Sequence, residues 1–206
     1  MPDDYIIQVK YNEARELASW ISIFQDMSFA VDSLIRLLQL LHDKNDDSIL
    51  MNSLFISALI SYGRCFTHGK RQRLSEDIFR TLPGEGDPLA CHRFYKNMRD
   101  KHIAHSVNPF EQVKIGLVLS NPESTERKVR GIANLSAKLV SFDIDGVETL
   151  LRLALFCRDA AQKQMEIWTD KTVKKGEGQS VDNLYSNPRL HCVIPEPDAV
   201  NKARLD

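Results

Sequence analysis

EARELASWISIFQDMSFAVDSLIRLLQLLH, residues 13–42, contains neither glycine nor proline, and its large apolar side chains recur at heptad spacing. Leu17, Phe24, Val31 and Leu38 form one row, Trp20, Met27, Leu34 and Leu41 a second, and Ile21 and Ile35 flank them. This pattern predicts one long helix with a bundle-type seam. A two-stranded coiled coil is the competing solution. The repeat ends before five heptads and further helical segments follow, which favours an intramolecular bundle.

Reading outward, the acidic run Asp43–Asp47 ends this helix and offers Asp46 or Asp47 as N-cap of the next. A second helix is expected from Ser48 to about Thr67, with Leu50, Leu54, Ser57, Ala58 and Ser61 on its packed face and Gly69 as its stop. A polar stretch follows, with one helical turn around Ser75–Arg80 and a loop at Pro83–Gly86. Asp87-Pro88 is a start signal, because Asp accepts from free amides and proline suits the first helical position. The third helix is expected to run to about His105, and Pro109 bars its continuation.

Beyond Pro109 the period becomes two. Val113, Ile115, Leu117 and Leu119 alternate with Gln112, Lys114, Gly116 and Val118, the pattern of a strand with one face covered. Asn121-Pro122 and the charged stretch to Lys128 make a turn. Val129–Val140 reads as a returning strand or, on Ile132, Leu135, Leu139 and Phe142, as a helix. Asp143 or Asp145 then caps a last helix from Val147 to about Lys171, with Val147, Leu150, Leu151, Ala154, Cys157, Ala161, Met165 and Trp168 facing the core. The expected fold is mainly α: an antiparallel bundle of four long helices over residues 1–173, a small β-hairpin at about 111–140, and an irregular arm over 174–206.

The chain has 206 residues, 43% hydrophobic and 27% charged, with a net charge of −1. This is the composition of a soluble globular protein able to bury a core without disulfides or metals. No apolar run spans a bilayer and MPDDYIIQVK lacks a secretory pattern, so a cytoplasmic protein with no membrane role is expected. Cys65, Cys91, Cys157 and Cys192 are widely separated and read as reduced and structural. Charge is unevenly distributed: residues 1–63 carry 9 acids and 4 bases, whereas Arg64–Lys101 carries 9 bases and 5 acids. A basic region of this kind is compatible with a polyanionic ligand. Within it, Arg64, Lys70, Arg71 and Arg73 are candidates for holding RNA backbone, with Tyr62, Phe66 or Tyr95 as base-stacking platforms. Antiparallel packing of the second and third helices would set this run far from Arg99 in one protomer.

No Walker A, GxGxxG, GxSxG or HExxH pattern occurs. The densest chemistry is MRDKHIAHS, residues 98–106, where the third helix must end and free carbonyls favour cationic side chains. Basic residues there also serve as ordinary C-terminal helix partners. His102 and His105 share a face, and with Asp100, His92 or Cys91 would begin a metal site, but no matching ligands mark another helix. No metal or cofactor is expected. In an ideal helix Arg99 and His105 sit about 120° apart, so pairing them needs a loosened helix or a second chain. Arg and His together suffice for metal-free cleavage of RNA, because Arg stabilises a charged phosphoryl group, His exchanges a proton, and the 2′-hydroxyl is the nucleophile.

The spacing Arg99-Asp100-Lys101-His102-Ile103-Ala104-His105, near the end of a bundle helix, resembles the signature of the HEPN superfamily, and RDKHIAHS with a hairpin behind it is especially similar to its abortive-infection branch. The resemblance implies an all-α bundle, a homodimer that brings two motifs together, and metal-independent endoribonuclease activity in toxin, antiphage or RNA-processing settings, with a neutralising antitoxin protein as a possible partner. Carried onto this sequence, it implies that Arg99 stabilises the transition state, His105 is the acid or base, and Asp100 orients one of them; Lys101 and His102 are possible helpers. The rival expectation is a non-catalytic helical module that binds nucleic acid or a partner protein.

Overall fold

α1 spans Asn12–His42, beginning one residue before the stretch 13–42 expected to form it. The structure, a computed structural model, describes residues 5–69, 71–84, 86–103, 111–138, 143–191 and 196. After α1 come α2 (Ser48–Arg64), a 3-10 helix (Glu76–Thr81), α3 (Pro88–Met98), a π turn (Arg99–Ile103), strands β1 (Glu111–Leu119) and β2 (Val129–Lys138), α4 (Ile144–Glu177) and the short α5 (Val181–Tyr185). The protein is thus mainly helical with one two-stranded antiparallel sheet. Two compact units are present, residues 1–18 with 165–206, and residues 19–164.

The caps follow the local chemistry of the sequence. Asp47 Oδ1 accepts from the Leu50 amide at 2.9 Å, and Asp87 Oδ1 accepts from the Ala90 amide at 3.0 Å with Pro88 in the first turn. At α4 the choice between Asp143 and Asp145 falls to Asp143, whose Oδ1 accepts from the Gly146 amide at 2.7 Å. α2 ends at Arg64, well short of Gly69, because the chain turns back there: the Leu74 amide donates to the Cys65 carbonyl at 2.8 Å and Leu74 is buried.

In the unit of residues 19–164 one core is built from α1, α2, α3, α4 and the 3-10 helix. Its α1 contribution is Ile23, Met27, Ala30, Val31, Leu34 and Leu37, all fully buried. The seam therefore lies between the Met27/Leu34 row and a row the large residues do not reveal, Ile23/Ala30/Leu37. Phe24 and Leu38 sit at its flank, and Ile35, expected beside the seam, is exposed. A small residue such as Ala30 is inconspicuous in a pattern of large side chains, yet it lets neighbours approach closely. From α4, Val147, Leu150, Ala154, Cys157 and Ala161 are buried as expected, and Leu153 joins them. Burial pushes the Cys65 thiol up to about 12 and raises Cys157 well above its ordinary value, so neither is a ready nucleophile.

Residues 129–138, for which sequence left strand and helix open, form β2, paired with β1 from Glu111↔Lys138 to Leu119↔Val129. A bulge next to Val118/Leu119 leaves Arg130 without a cross-strand partner. The expectation of a covered face fails: Val113, Ile115, Leu117 and Leu119 are all exposed. The alternation that makes a strand is present, but among the described residues the face it forms is left exposed.

In the other unit α4 continues to Glu177 and α5 follows, so regular structure extends past Lys174, where an irregular arm was expected. An antiparallel bridge joins Ile7 to Arg189, with Gln8 donating to the Pro188 carbonyl at 2.8 Å and Leu190 to that of Ile6 at 3.0 Å. The Arg189 guanidinium lies over the Tyr5 ring, 4.4 Å from its centre.

Candidate functional site

α3 does not run unbroken through MRDKHIAHS. Its α-helical winding stops at Met98 and Arg99–Ile103 form a π turn, a widened helical geometry frequent at functional sites. The ideal-helix angle between positions 99 and 105 therefore does not apply across the motif. His105 and Ser106 lie outside the described residues, as does Lys70.

Arg99 is held from two sides. Its Nη1 donates to Asp100 Oδ1 at 2.6 Å, a charge-assisted contact, and 23% of its side chain is exposed. Its aliphatic stem lies across Gly63 of α2, where a Cβ would come within 3.2 Å of Cδ and 3.3 Å of Cγ and Nε. Glycine at 63 thus provides the shelf on which the guanidinium rests. Asp100 Oδ2 stands 3.8 Å from Lys96 Nζ, one helical turn earlier, so the carboxylate links two cations. Of the two residues that Asp100 is expected to orient, it contacts Arg99, and His105 lies outside the described residues. Lys101 is exposed on the same turn, and the backbone of His102 belongs to it.

The contact at Gly63 corrects the expected arrangement of α2 and α3. The C-terminal end of α2 lies against the π turn as well as against α3, because Tyr62 reaches His92 while Gly63 receives Arg99. The start of the basic run, Arg64, consequently follows directly on the residue that Arg99 packs against, within a single chain. The run's members divide. Arg71 donates to Asp26 Oδ2 of α1 at 2.6 Å and Arg64 Nη1 lies 3.6 Å from Asp26 Oδ1, so Arg71, mostly buried, ties the loop to α1. Arg73 instead bonds His68 Nε2 at 2.5 Å, and both line a cleft of about 520 Å³ together with Arg80, Arg93, Lys96 and Glu76. Lys96 thus belongs both to the cleft and to the Asp100–Arg99 chain. Arg80, Arg93 and Lys96 were not singled out in sequence, where they are scattered over 17 positions; folding of the 3-10 helix against α3 gathers them.

Three proposed base platforms are unavailable. Tyr62, Phe66 and Tyr95 are buried, and Tyr95 Oη donates to the Gly146 carbonyl at 2.6 Å. Tyr62 and Phe66 instead build a cage together with Phe79. His92, weighed as a metal ligand, is fully buried with ring centres of Phe66 and Phe79 at 4.3 and 4.6 Å. Tyr62 Oη lies 2.8 Å from His92 Nδ1, while Nε2 has no hydrogen-bond partner and stands 3.8 Å from Glu76 Oε1. Burial is the main reason that the His92 pKa falls to about 4, so the ring is neutral at pH 7. The carboxylate beside Nε2 favours the proton there, which makes Tyr62 the donor to Nδ1. Among the described residues no three His, Cys, Asp or Glu side chains gather as metal ligands, and no helix is long and apolar enough to cross a membrane.

No protein-family model, curated protein or solved structure matches this chain.

Proposed function

We propose that this protein is a metal-independent endoribonuclease of HEPN type. The 2′-hydroxyl attacks the adjacent phosphate, the 5′-oxygen leaves, and a 2′,3′-cyclic phosphate remains. The observation that carries the reading is the Arg99–Asp100 pair, seated on Gly63 where α3 gives way to a π turn. A guanidinium fixed at its stem and still partly exposed suits charge developing on phosphoryl oxygens. In this reading His105 exchanges the proton, Lys101 and His102 are helpers, and Arg73, Arg93 and Lys96 hold the substrate's backbone along the cleft. The helices form an antiparallel bundle of four, with the π turn extending α3, and the protein works as a cytoplasmic homodimer in toxin or antiphage defence, restrained by an antitoxin. No cofactor takes part.

The deciding experiment is incubation of the purified chain with a mixed RNA pool in excess EDTA, beside its His105→Ala variant. Cleavage by the parent alone, with cyclic phosphate at the new ends, is the expected result. Equal cleavage by both proteins sinks the assignment.

Gly63 supplies a second test. Gly63→Ala improves helix propensity by about 1 kcal/mol but pushes its methyl against the Arg99 stem. The expected outcome is a melting temperature close to the parent's with RNA cleavage slowed roughly tenfold, because small displacements of a catalytic group are costly. Unaltered cleavage argues that Arg99 need not stand where Gly63 puts it.

A non-catalytic nucleic-acid or protein-binding module is the second reading, favoured by the ion pair that already neutralises Arg99. It predicts that His105→Ala lowers the melting temperature and leaves no activity to lose.

A further inference from the structure

Cross-strand pairs place Val113, Ile115, Leu117 and Leu119 of β1 on one face of the hairpin with Ser136, Asn134, Ile132 and Val129 of β2. The six apolar members are each 58–73% exposed. No charged side chain lies among these eight positions, in a protein of which 27% is charged. The opposite face is less uniform: it carries the charge of Lys114 and small residues at Gly116, Gly131 and Ala133, beside two exposed large apolar side chains, Val118 and Leu135. A two-stranded hairpin is marginally stable in water unless its apolar face is covered.

We propose that a second copy of this chain covers that face, two hairpins packing sheet on sheet about a two-fold axis. The six side chains expose on the order of 700 Å², above the patch size usual on monomers. Two such faces together would remove roughly 1,400 Å² from water, within the range of stable specific interfaces. A two-fold axis sets a patch against itself, which an uncharged surface tolerates and a charged one does not. Lipid fits less well, since residues 111–138 contain no aromatic side chain to sit at a membrane interface. Seven residues separate the π turn from β1, so joining two hairpins also brings the chain segments that carry the two motifs into one assembly. The inference stands on the hairpin and does not require the ribonuclease reading.

Sedimentation of the full chain over a dilution series tests it, beside Leu117→Lys and the apolar control Leu117→Met. The parent and Leu117→Met are expected to be dimers, and Leu117→Lys to dissociate at concentrations at least a hundredfold higher, with an unchanged helical circular dichroism spectrum. Hydrogen exchange supplies a reading independent of any variant: hairpin amides of the parent are expected to lose protection on dilution as the dimer separates. A parent that is monomeric throughout overturns the proposal, as does a dimer that Leu117→Lys leaves intact and whose hairpin amides exchange at one rate at all dilutions. RNA cleavage assayed on the same samples separates this outcome from failure of the ribonuclease reading.

Discussion

Arg99→Ala is expected to slow RNA cleavage by about 10²–10³-fold, the usual consequence of losing one donor aimed at transition-state charge. The substitution removes the guanidinium but leaves the π turn's main chain and the Gly63 surface in place. Arg99→Lys is expected to recover little of that rate. A lysine carries the charge as a point and cannot place two parallel donors on a phosphoryl group while a third holds Asp100. Asp100→Asn should fall between parent and Arg99→Ala, since it loosens Arg99 without deleting it. Single-turnover rates at saturating protein, read from cyclic-phosphate ends, check the series. If Arg99→Ala cleaves as fast as the parent, Arg99 has no part in the chemistry.

The second large effect concerns stability and pH. His92 titrates near 4 in the folded protein, against about 6.5 for an exposed histidine. Between those values the unfolded chain binds the proton and the folded one does not, so stability rises with pH through this window. His92 therefore contributes its full share above about pH 6.5, and that share is lost progressively as pH falls towards 4. The loss amounts to the order of 3 kcal/mol. His92→Phe is expected to flatten this part of the profile, because an uncharged ring keeps the stacking with Phe66 and Phe79. At pH 7 the variant should be less stable than the parent by about 1–3 kcal/mol, as the buried Tyr62 hydroxyl loses its partner. Urea unfolding at pH 7.5, 5.5 and 4.5 measures both effects. A variant whose pH profile parallels the parent's rules out His92 as the group responsible.

Sequence alone determined the helices whose ends are written in local chemistry. Asp47, Asp87-Pro88 and the absence of glycine and proline from residues 13–42 act on amides and dihedral angles within one turn, so neighbours in sequence suffice to read them. It also marked MRDKHIAHS and the turn after β1, and it selected Arg99 and Asp100, which the fold brings into contact. What it could not reach depends on residues distant in the chain. Whether a strand's apolar face is covered is a fact about neighbouring elements, and among the described residues this one is exposed. Tyr62, Phe66 and Tyr95 have amphipathic side chains that suit a ligand surface or a core equally, and packing against His92 and Gly146 assigned them to the core. Arg71 and Arg73, two positions apart in one basic run, part company because Asp26 lies beside only the first. The Arg99 shelf is likewise tertiary: Gly63 reads as an unremarkable helical glycine until α2 meets the π turn, and only that close approach shows why no side chain stands there.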